Sequence, residues 1–217
     1  VAYWKPDDPR GPVRPVVLVT CGFHPVEGDT LGAEAIFEWL CGDGRSTLDH
    51  LNLVVVPVAN PDGFVHGHNG CNAAGVNFFW DFRRDDAETC PEAYYLWELV
   101  RKVSPVVYLD FHSYSVQGPA KRAGPYTKSE RLYTGSAAKS LARQLTGALS
   151  ALANTRPKPM FGPSTLAFRI TREMNTITFA KYHLHQDHGR DGMKALAVDV
   201  VKRVTDVLAE EEVSASE

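Results

Sequence analysis

Residues 15–41 read PVVLVTCGFHPVEGDTLGAEAIFEWLC. PVVLVT (15–20) is short, apolar and β-branched, which predicts a buried strand. TLGAEAIFEWLC (30–41) has the apolar spacing of a helix, and the glycines of GDG (42–44) would end it. The turn between the two places His24 and Glu27 three positions apart, directly after the strand. A turn alone does not require that pair, so the pair suggests a chemical role.

The same alternation of strands and helices continues along the chain. It predicts a mostly parallel sheet covered by helices on both faces, with ligands bound beyond the carboxyl ends of the strands. Further strands are predicted at 51–59, 105–113, 165–170 and 175–180, and further helices at 91–103, 135–153 and 192–212. NPDG (60–63) predicts a turn, and residues 64–90 and 121–134 predict loops.

Length and composition predict one domain over residues 1–217, with an irregular lead-in at 1–14 and a frayed tail at 213–217. The net charge of −3 and the pI of about 6.3 argue against general nucleic-acid affinity. No apolar run approaches the roughly 20 residues of a membrane helix, so no membrane partner is expected. Nothing resembles a signal peptide, although a chain that begins at Val1 is compatible with processing or trimming.

Four cysteines are widely spread and form no CxxC pair: Cys21, Cys41, Cys71 and Cys90. A zinc site made of thiolates is therefore not expected. We interpret them as free thiols, which predicts a cytoplasmic protein.

Polar side chains follow three of the predicted strands. His24 and Glu27 follow the first, Asn60 and Asp62 the second, and His112 ends the third. Two imidazoles and a carboxylate with an open fourth position form a catalytic zinc site, where zinc polarises a carbonyl and activates water. The alternative is that each histidine is structural or solvated.

Four motifs, HPVE (24–27), NPDG (60–63), NAAGVNFFWDF (72–82) and DFHSYS (110–115), together resemble the zinc carboxypeptidase family, the carboxypeptidase A-like enzymes. The resemblance runs from about residue 15 to about residue 210. It implies a mixed, mostly parallel α/β sheet of about eight strands between helices. It also implies one Zn²⁺ held by His24, Glu27 and His112, and hydrolysis of a C-terminal amide bond.

The chain departs from the family around NAAGVNFFWDF. The family's Asn-Arg pair, which grips the substrate carboxylate, falls on Phe79 and Trp80, and rings cannot replace a bidentate Arg. Asn77 stands where an Asp orients the first zinc histidine, and it is still able to accept a hydrogen bond. HGHNGCN (66–72) lacks the family's Arg for the oxyanion, so Asn69, His66 or His68 could donate there, or these are solvated loop residues.

The catalytic general base is also missing. RITREMNTITFAKYHLH (169–185) resembles the tubulin-deglutamylating branch of the family, and that resemblance puts Ala180 at the position of the catalytic Glu. Three explanations stay open: an engineered Glu→Ala change that traps substrate, a natural pseudoenzyme that still binds zinc, or another carboxylate, Glu173 or Asp187, acting instead.

Substrate recognition must then be rebuilt from other residues. The candidates are Asn69, Asn77, Tyr114, Arg83, Arg169 and Arg172. For Arg172, an ion pair with the adjacent Glu173 on a solvated face is the alternative. The His-rich 181–192 segment predicts a rim over the pocket or a second metal site. The chain is shorter than the secreted enzymes, so an open site for a large substrate is expected: a protein or peptide C-terminus, a peptidoglycan stem peptide, or an amino acid on a carrier protein.

Two other functions compete with the zinc-dependent peptidase. Aspartoacylase-like hydrolases of N-acyl amino acids share the His-x-x-Glu…His set, although the NPDG and HSYS stretches favour the peptidase. A non-catalytic module could use the zinc pocket to hold a peptide C-terminus, and Ala180 supports that hypothesis.

Overall fold

One central sheet organises the part of the chain that the structure, a computed structural model, describes. That part comprises residues 2–3, 14–82, 87–88, 90–112, 126–127, 133–152, 158–159, 162, 164–183 and 189–216. At positions 2, 3, 27, 126, 127, 158, 159, 180, 181, 183 and 212–216 only the backbone is described.

The sheet contains seven strands within the described residues. They are β1 (Ala2–Tyr3), β2 (Val16–Thr20), β3 (Asn52–Val56), β4 (Val107–His112), β5 (Tyr126–Thr127), β6 (Lys158–Pro159) and β7 (Ile177–His183). Their order is β1-β3-β2-β4-β7-β5-β6, and only the β1–β3 and β5–β7 pairs are antiparallel. The mixed, mostly parallel sheet is confirmed. The described part of the sheet does not reach the expected number of about eight strands: of its seven, only β2, β3, β4 and β7 are longer than two residues.

The pairing of β4 with β7 contains a bulge. Leu109 pairs with Phe179, whereas Phe111 pairs with Tyr182, so β7 has one extra residue between the two pairs. Two residues of β7 therefore lie opposite Asp110. Ala180 is one of them, and its backbone also pairs with Tyr126 of β5.

Six α-helices accompany the sheet. They are α1 (Thr30–Cys41), α2 (Pro61–His66), α3 (Pro91–Val103), α4 (Ser136–Leu152), α5 (Leu166–Met174) and α6 (Gly189–Ser216). Short 3-10 helices span Pro25–Glu27, Arg45–Asp49 and Phe78–Trp80. Among the described residues, no helix is long and apolar enough to span a membrane.

Two apolar layers cover the sheet. Helices α1, α4 and α6 supply one layer, represented by Ile36, Leu145 and Val200. Helices α3 and α5 and the Phe78–Trp80 turn supply the other, represented by Trp97 and Ile170. These side chains are at most 4% exposed, and each such burial contributes about 1.5–3 kcal/mol. The two-sided covering that the resemblance implied is confirmed.

The prediction of a strand at 165–170 is wrong, because these residues begin helix α5. The buried residues Leu166, Ala167, Ile170 and Thr171 recur at the spacing of a helix. The Thr165 hydroxyl accepts a hydrogen bond from the Phe168 N–H and caps the start of the helix.

Other predicted elements shift at their ends. NPDG forms the start of α2 instead of a simple turn, with the Asn60 side chain accepting a hydrogen bond from the Gly63 N–H. Residues 2–3 of the predicted lead-in pair with β3, and α6 runs to Ser216, past the predicted end at 212. All four cysteines are free thiols, as predicted.

Candidate metal centre

The loop after β2 is fixed by hydrogen bonds that continue the parallel ladder. The N–H of Cys21 donates to the Val56 carbonyl (2.9 Å), and the N–H groups of Ala59 and Asn60 donate to the carbonyls of Cys21 (2.8 Å) and Gly22 (2.9 Å). His24 follows directly and precedes the 3-10 turn Pro25–Glu27. The loop backbone is therefore held where His24 leaves the end of β2.

His112 meets His24 from the neighbouring strand. It is the last residue of β4 and only 1% exposed. The two imidazole centroids are 5.0 Å apart, with the ring planes at 86°. Since β2 and β4 are adjacent and parallel, their carboxyl ends bring the two histidines together, as the sequence predicted.

Aromatic rings enclose the histidine pair. The ring of Phe23 stacks on that of His112, with a centroid distance of 6.1 Å and an interplanar angle of 19°. The ring centroid of Phe79 lies 5.0 Å from that of His112 and 5.8 Å from that of His24. Phe23 and Phe79 are at most 3% exposed. Contact with apolar rings excludes water from that side and strengthens electrostatic interactions at the imidazoles.

Side chains of Asn and Asp organise the loop that runs beside this pair. The Asn60 amide donates to the Cys71 carbonyl (3.0 Å), and the Asp62 carboxylate accepts from the Ala73 N–H (3.0 Å). The Asn72 carbonyl oxygen accepts from the N–H groups of Ala74 (3.1 Å) and Val76 (3.0 Å), and its amide donates to Glu92 (2.9 Å). These bonds give a long irregular segment one defined path past His24.

Comparison with known proteins identifies the group to which this chain is related. The family model for zinc carboxypeptidases matches residues 4–186. The chain belongs to the zinc carboxypeptidase family. Because the match includes both strand ends and the loop between them, the histidine pair lies inside the matched region.

Curated zinc carboxypeptidases match part of the chain. Cytosolic carboxypeptidase 1 of Xenopus laevis is 26% identical over 111 residues, which is 47% of this chain and 9% of that protein. Cytosolic carboxypeptidase 2 of Danio rerio is 30% identical over 109 residues, 46% of this chain and 15% of that protein. The matched segment thus spans about a tenth of the length of these relatives.

Solved structures show the same fold. A metallo-carboxypeptidase from Burkholderia cenocepacia superposes with a TM-score of 0.75 at 16% identity, over 94% of this chain and 59% of that one. A metallo-carboxypeptidase from Pseudomonas aeruginosa, solved in complex with (2-guanidinoethylmercapto)succinic acid, superposes with a TM-score of 0.69 at 21% sequence identity. The superposition covers 92% of this chain and 60% of that one.

The zinc of this family fits the donor atoms that the structure describes. Two imidazoles at 5.0 Å, at the ends of adjacent strands, offer nitrogen ligands of the type that Zn²⁺ prefers. No group of three ligand side chains occurs among the described residues, and the side chain of Glu27 lies outside that set. The backbone of Glu27 ends the 3-10 turn that begins directly after His24.

Two buried groups near β2, the Cys21 thiol and the Tyr108 hydroxyl, have raised pKa values. Burial, followed by the charges of Asp29 and Asp110, raises the pKa of the Cys21 thiol well above its usual value. Burial, followed by the charge of Asp110, does the same to the pKa of the Tyr108 hydroxyl. Cys21 is buried in the apolar layer of α1, α4 and α6, whereas Phe23 and Phe79 beside the imidazoles belong to the other layer.

The predicted substrate-binding arginines lie on α5, not on a strand. The Arg169 guanidinium stacks 3.9 Å over the Trp97 ring, donates to the Phe82 carbonyl (3.2 Å) and pairs with Glu173 (3.2 Å). Arg172 is exposed on the same helix. Arg169 is thus held in the packing of the α3–α5 layer.

The remaining predicted site residues are distributed around the loop. Asn69 and Asn77 are exposed, and Asn77 immediately precedes the Phe78–Trp80 turn. Phe79 is buried and Trp80 is 43% exposed, with their rings edge-on at 4.9 Å. Arg83, Tyr114 and Asp187 lie outside the described residues, as does the Ala180 side chain. Of the predicted rim at 181–192, residues 181–183 end β7 and residues 189–192 begin α6, while 184–188 lie outside the described residues.

One buried carboxylate beside the pair was not predicted. Asp110 Oδ1 lies 3.1 Å from His112 Nδ1, and both side chains are 1% exposed. The sequence contains a signal for this carboxylate. Residues two apart on a strand lie on the same face of the sheet, so Asp110 in DFHSYS lies on the face of His112.

Proposed function

We propose that this chain is a zinc-binding domain of the metallocarboxypeptidase type that binds the C-terminal end of a peptide or protein. The observation that carries the proposal is the His24–His112 pair, 5.0 Å apart at the ends of β2 and β4. His24, Glu27 and His112 would hold the ion. When bound, zinc polarises an amide carbonyl and lowers the pKa of a bound water.

Hydrolysis is the activity that membership of the family supports, and Ala180 impairs it. A methyl group cannot accept the proton of an attacking water. Glu173, one of the alternative bases, is paired with Arg169 on α5 and exposed, which does not favour a catalytic role. We therefore assign the general-base position to residue 180.

Substrate recognition differs from that of an enzyme that binds the substrate's terminal carboxylate with an Asn-Arg pair. Phe79 is packed against both imidazoles, and Arg169 is held by Trp97 and Glu173. Candidate polar contacts are Asn69, Asn77, Arg83, Tyr114 and Arg172. An open site of this kind suits a protein tail or an aminoacylated carrier better than a free dipeptide.

The first experiment tests the metal. Wild-type protein is expected to bind one Zn²⁺ per chain, measured by metal analysis after dialysis, and His24→Ala and His112→Ala are expected to lose it. Wild-type protein that binds no zinc would contradict the proposal.

The second experiment tests hydrolysis. Ala180→Glu with zinc bound is expected to release C-terminal residues from a peptide library, whereas Ala180→Gln, which has similar size but no base, should not. N-acetyl amino acids belong in the same screen, since the aspartoacylase-like alternative predicts their turnover instead.

A second candidate function is a non-catalytic peptide-binding module. Its specific support is the packed Phe79 at the position of the family's carboxylate grip. It predicts that zinc-loaded Ala180→Glu turns over nothing, while wild-type protein retains fluorescent C-terminal peptides in an anisotropy assay.

We place the protein in the cytoplasm on the basis of its four free thiols and of its resemblance to relatives named cytosolic. Fractionation of the source cells tests this placement.

A further inference from the structure

A chain of buried polar groups leads to the ring of His112. The hydroxyls of Tyr108 and Thr20 are 2.8 Å apart, and the Thr20 hydroxyl donates to Asp110 Oδ1 at 3.4 Å. The same carboxylate oxygen lies 3.1 Å from His112 Nδ1. None of these four residues is more than 1% exposed.

The sheet itself dictates this arrangement. Tyr108, Asp110 and His112 alternate along β4 and therefore lie on one face. Thr20 is paired with Asp110 in the β2–β4 register, which brings its hydroxyl beside the carboxylate. The positions of these polar groups thus follow from the alternation of side chains along β4 and from the pairing of β2 with β4, and not from a loop.

A carboxylate in this position is expensive unless a positive charge compensates for it. Removing an ionised carboxylate from water costs several kcal/mol in proteins, and Phe23 and Phe79 enclose the adjacent ring. A dication bound to the imidazole would supply such a charge. Carboxylates beside metal-ligating histidines orient the ring and increase its basicity.

We propose that Asp110 is a positioning residue of the metal centre, whose carboxylate holds the His112 imidazole in place and stabilises the charge that zinc confers on it. This inference rests on the proposed zinc site. Thr20 in turn holds the carboxylate. Because the Thr20 proton is donated to Asp110, the Tyr108 hydroxyl donates to Thr20 Oγ1.

The test measures zinc affinity by competition with a chromophoric chelator. Asp110→Asn, which keeps the shape and removes the charge, is expected to weaken zinc binding about 10–100-fold. Thr20→Val should weaken it less, in the same direction. The control is Asp199→Asn, which removes an exposed charge from α6 and should leave the affinity unchanged.

Folding and coordination are checked separately. Thermal melts in chelator establish that each variant is folded without metal. In Co²⁺-substituted protein, Asp110→Asn is expected to keep the intensity of the visible bands, because the number of ligands is unchanged. If the spectrum instead shows that Asp110→Asn has one metal ligand fewer, Asp110 coordinates the metal directly, and the proposal is overturned.

The outcomes separate this inference from the proposed function. If wild-type protein binds zinc, His24→Ala does not, and Asp110→Asn binds as wild type, only the role of Asp110 is refuted. If wild-type protein binds no zinc, the metal centre itself is refuted, and the role of Asp110 with it.

Discussion

The backbone of Gly70 lies against the imidazole of His24. A Cβ placed on Gly70 would be 3.2 Å from His24 Cδ2 and 3.2 Å from Asn77 Nδ2. The φ angle of Gly70 is +87°, which L side chains rarely adopt. Both the positive φ angle and the closeness to His24 therefore favour glycine at this position in the loop.

Gly70→Ala is expected to disturb the candidate metal centre. It should cost about 1–2 kcal/mol of stability from the left-handed backbone and also displace the His24 ring, which lowers zinc affinity. Gly75→Ala is the matched control, since Gly75 has φ +75° and open space around its Cβ position. Chemical denaturation and zinc titration of both variants check this. Equal zinc affinities would show that the Gly70 contact does not matter to the ring.

Zinc is expected to stabilise the fold. At a free concentration of 100 times Kd, binding adds about 2.7 kcal/mol to the free energy of unfolding, which for a chain of this size raises Tm by about 5–10 °C. Scanning fluorimetry with zinc and with chelator measures the shift. His112→Ala should show none, and a shift that persists in that variant would assign the ion to another site.

Asn72 is expected to be the main support of the loop beside His24. Asn72→Ala removes two acceptor bonds to backbone N–H groups and one donor bond to Glu92. The expected loss is about 1–3 kcal/mol, because three hydrogen bonds worth about 0.5–1.5 kcal/mol each are removed and water can partly replace them at the exposed Ala74 and the half-buried Val76 and Glu92. Urea denaturation measures it, with the exposed Asn69→Ala as control. Equal losses for the two variants would contradict the role of Asn72.

Stability is expected to fall at alkaline pH. Burial is the main cause that raises the pKa of the Cys90 thiol from 9.0 to about 11. Between these values the unfolded thiol has released its proton and the folded one has not, so the unfolded state binds fewer protons and stability decreases as pH rises. Urea midpoints from pH 8 to 11 measure the decline.

Cys90→Ser should make that decline shallower, because serine does not titrate in this range. Cys41→Ser, at an exposed position, should reproduce the wild-type profile. An unchanged slope in Cys90→Ser would attribute the decline to other groups.

The long regular elements could be predicted because their patterns are strong. Helices 30–41 and 91–103 match the structure at both ends, and His24 and His112 meet because parallel strands end at one edge of the sheet. These predictions needed only the spacing of apolar residues and the order of strands and helices along the chain.

The errors have specific physical causes. TLAFRI was predicted as a strand because a short apolar run is ambiguous, and the deciding signals were the Thr165 cap and the left-handed Asn175 that ends α5. NPDG was predicted as a turn, although Pro61 suits the first position of a helix. The closeness of Gly70 to His24 could not be predicted, because it depends on side-chain hydrogen bonds across an irregular loop.

The bulge in β7 has a consequence for how this strand tolerates change. Ile177, Phe179 and Tyr182 all belong to the same apolar layer, although the last interval is three residues instead of two. Deleting one residue at 180–181 would restore an even count and leave Tyr182 in that layer. Deleting the residue between Ile177 and Phe179 would instead place these two side chains on opposite faces of the sheet. In homologues, gaps in this strand are therefore expected to fall at the bulge, so residue 180 is aligned more securely from Thr178 on its N-terminal side than from Tyr182.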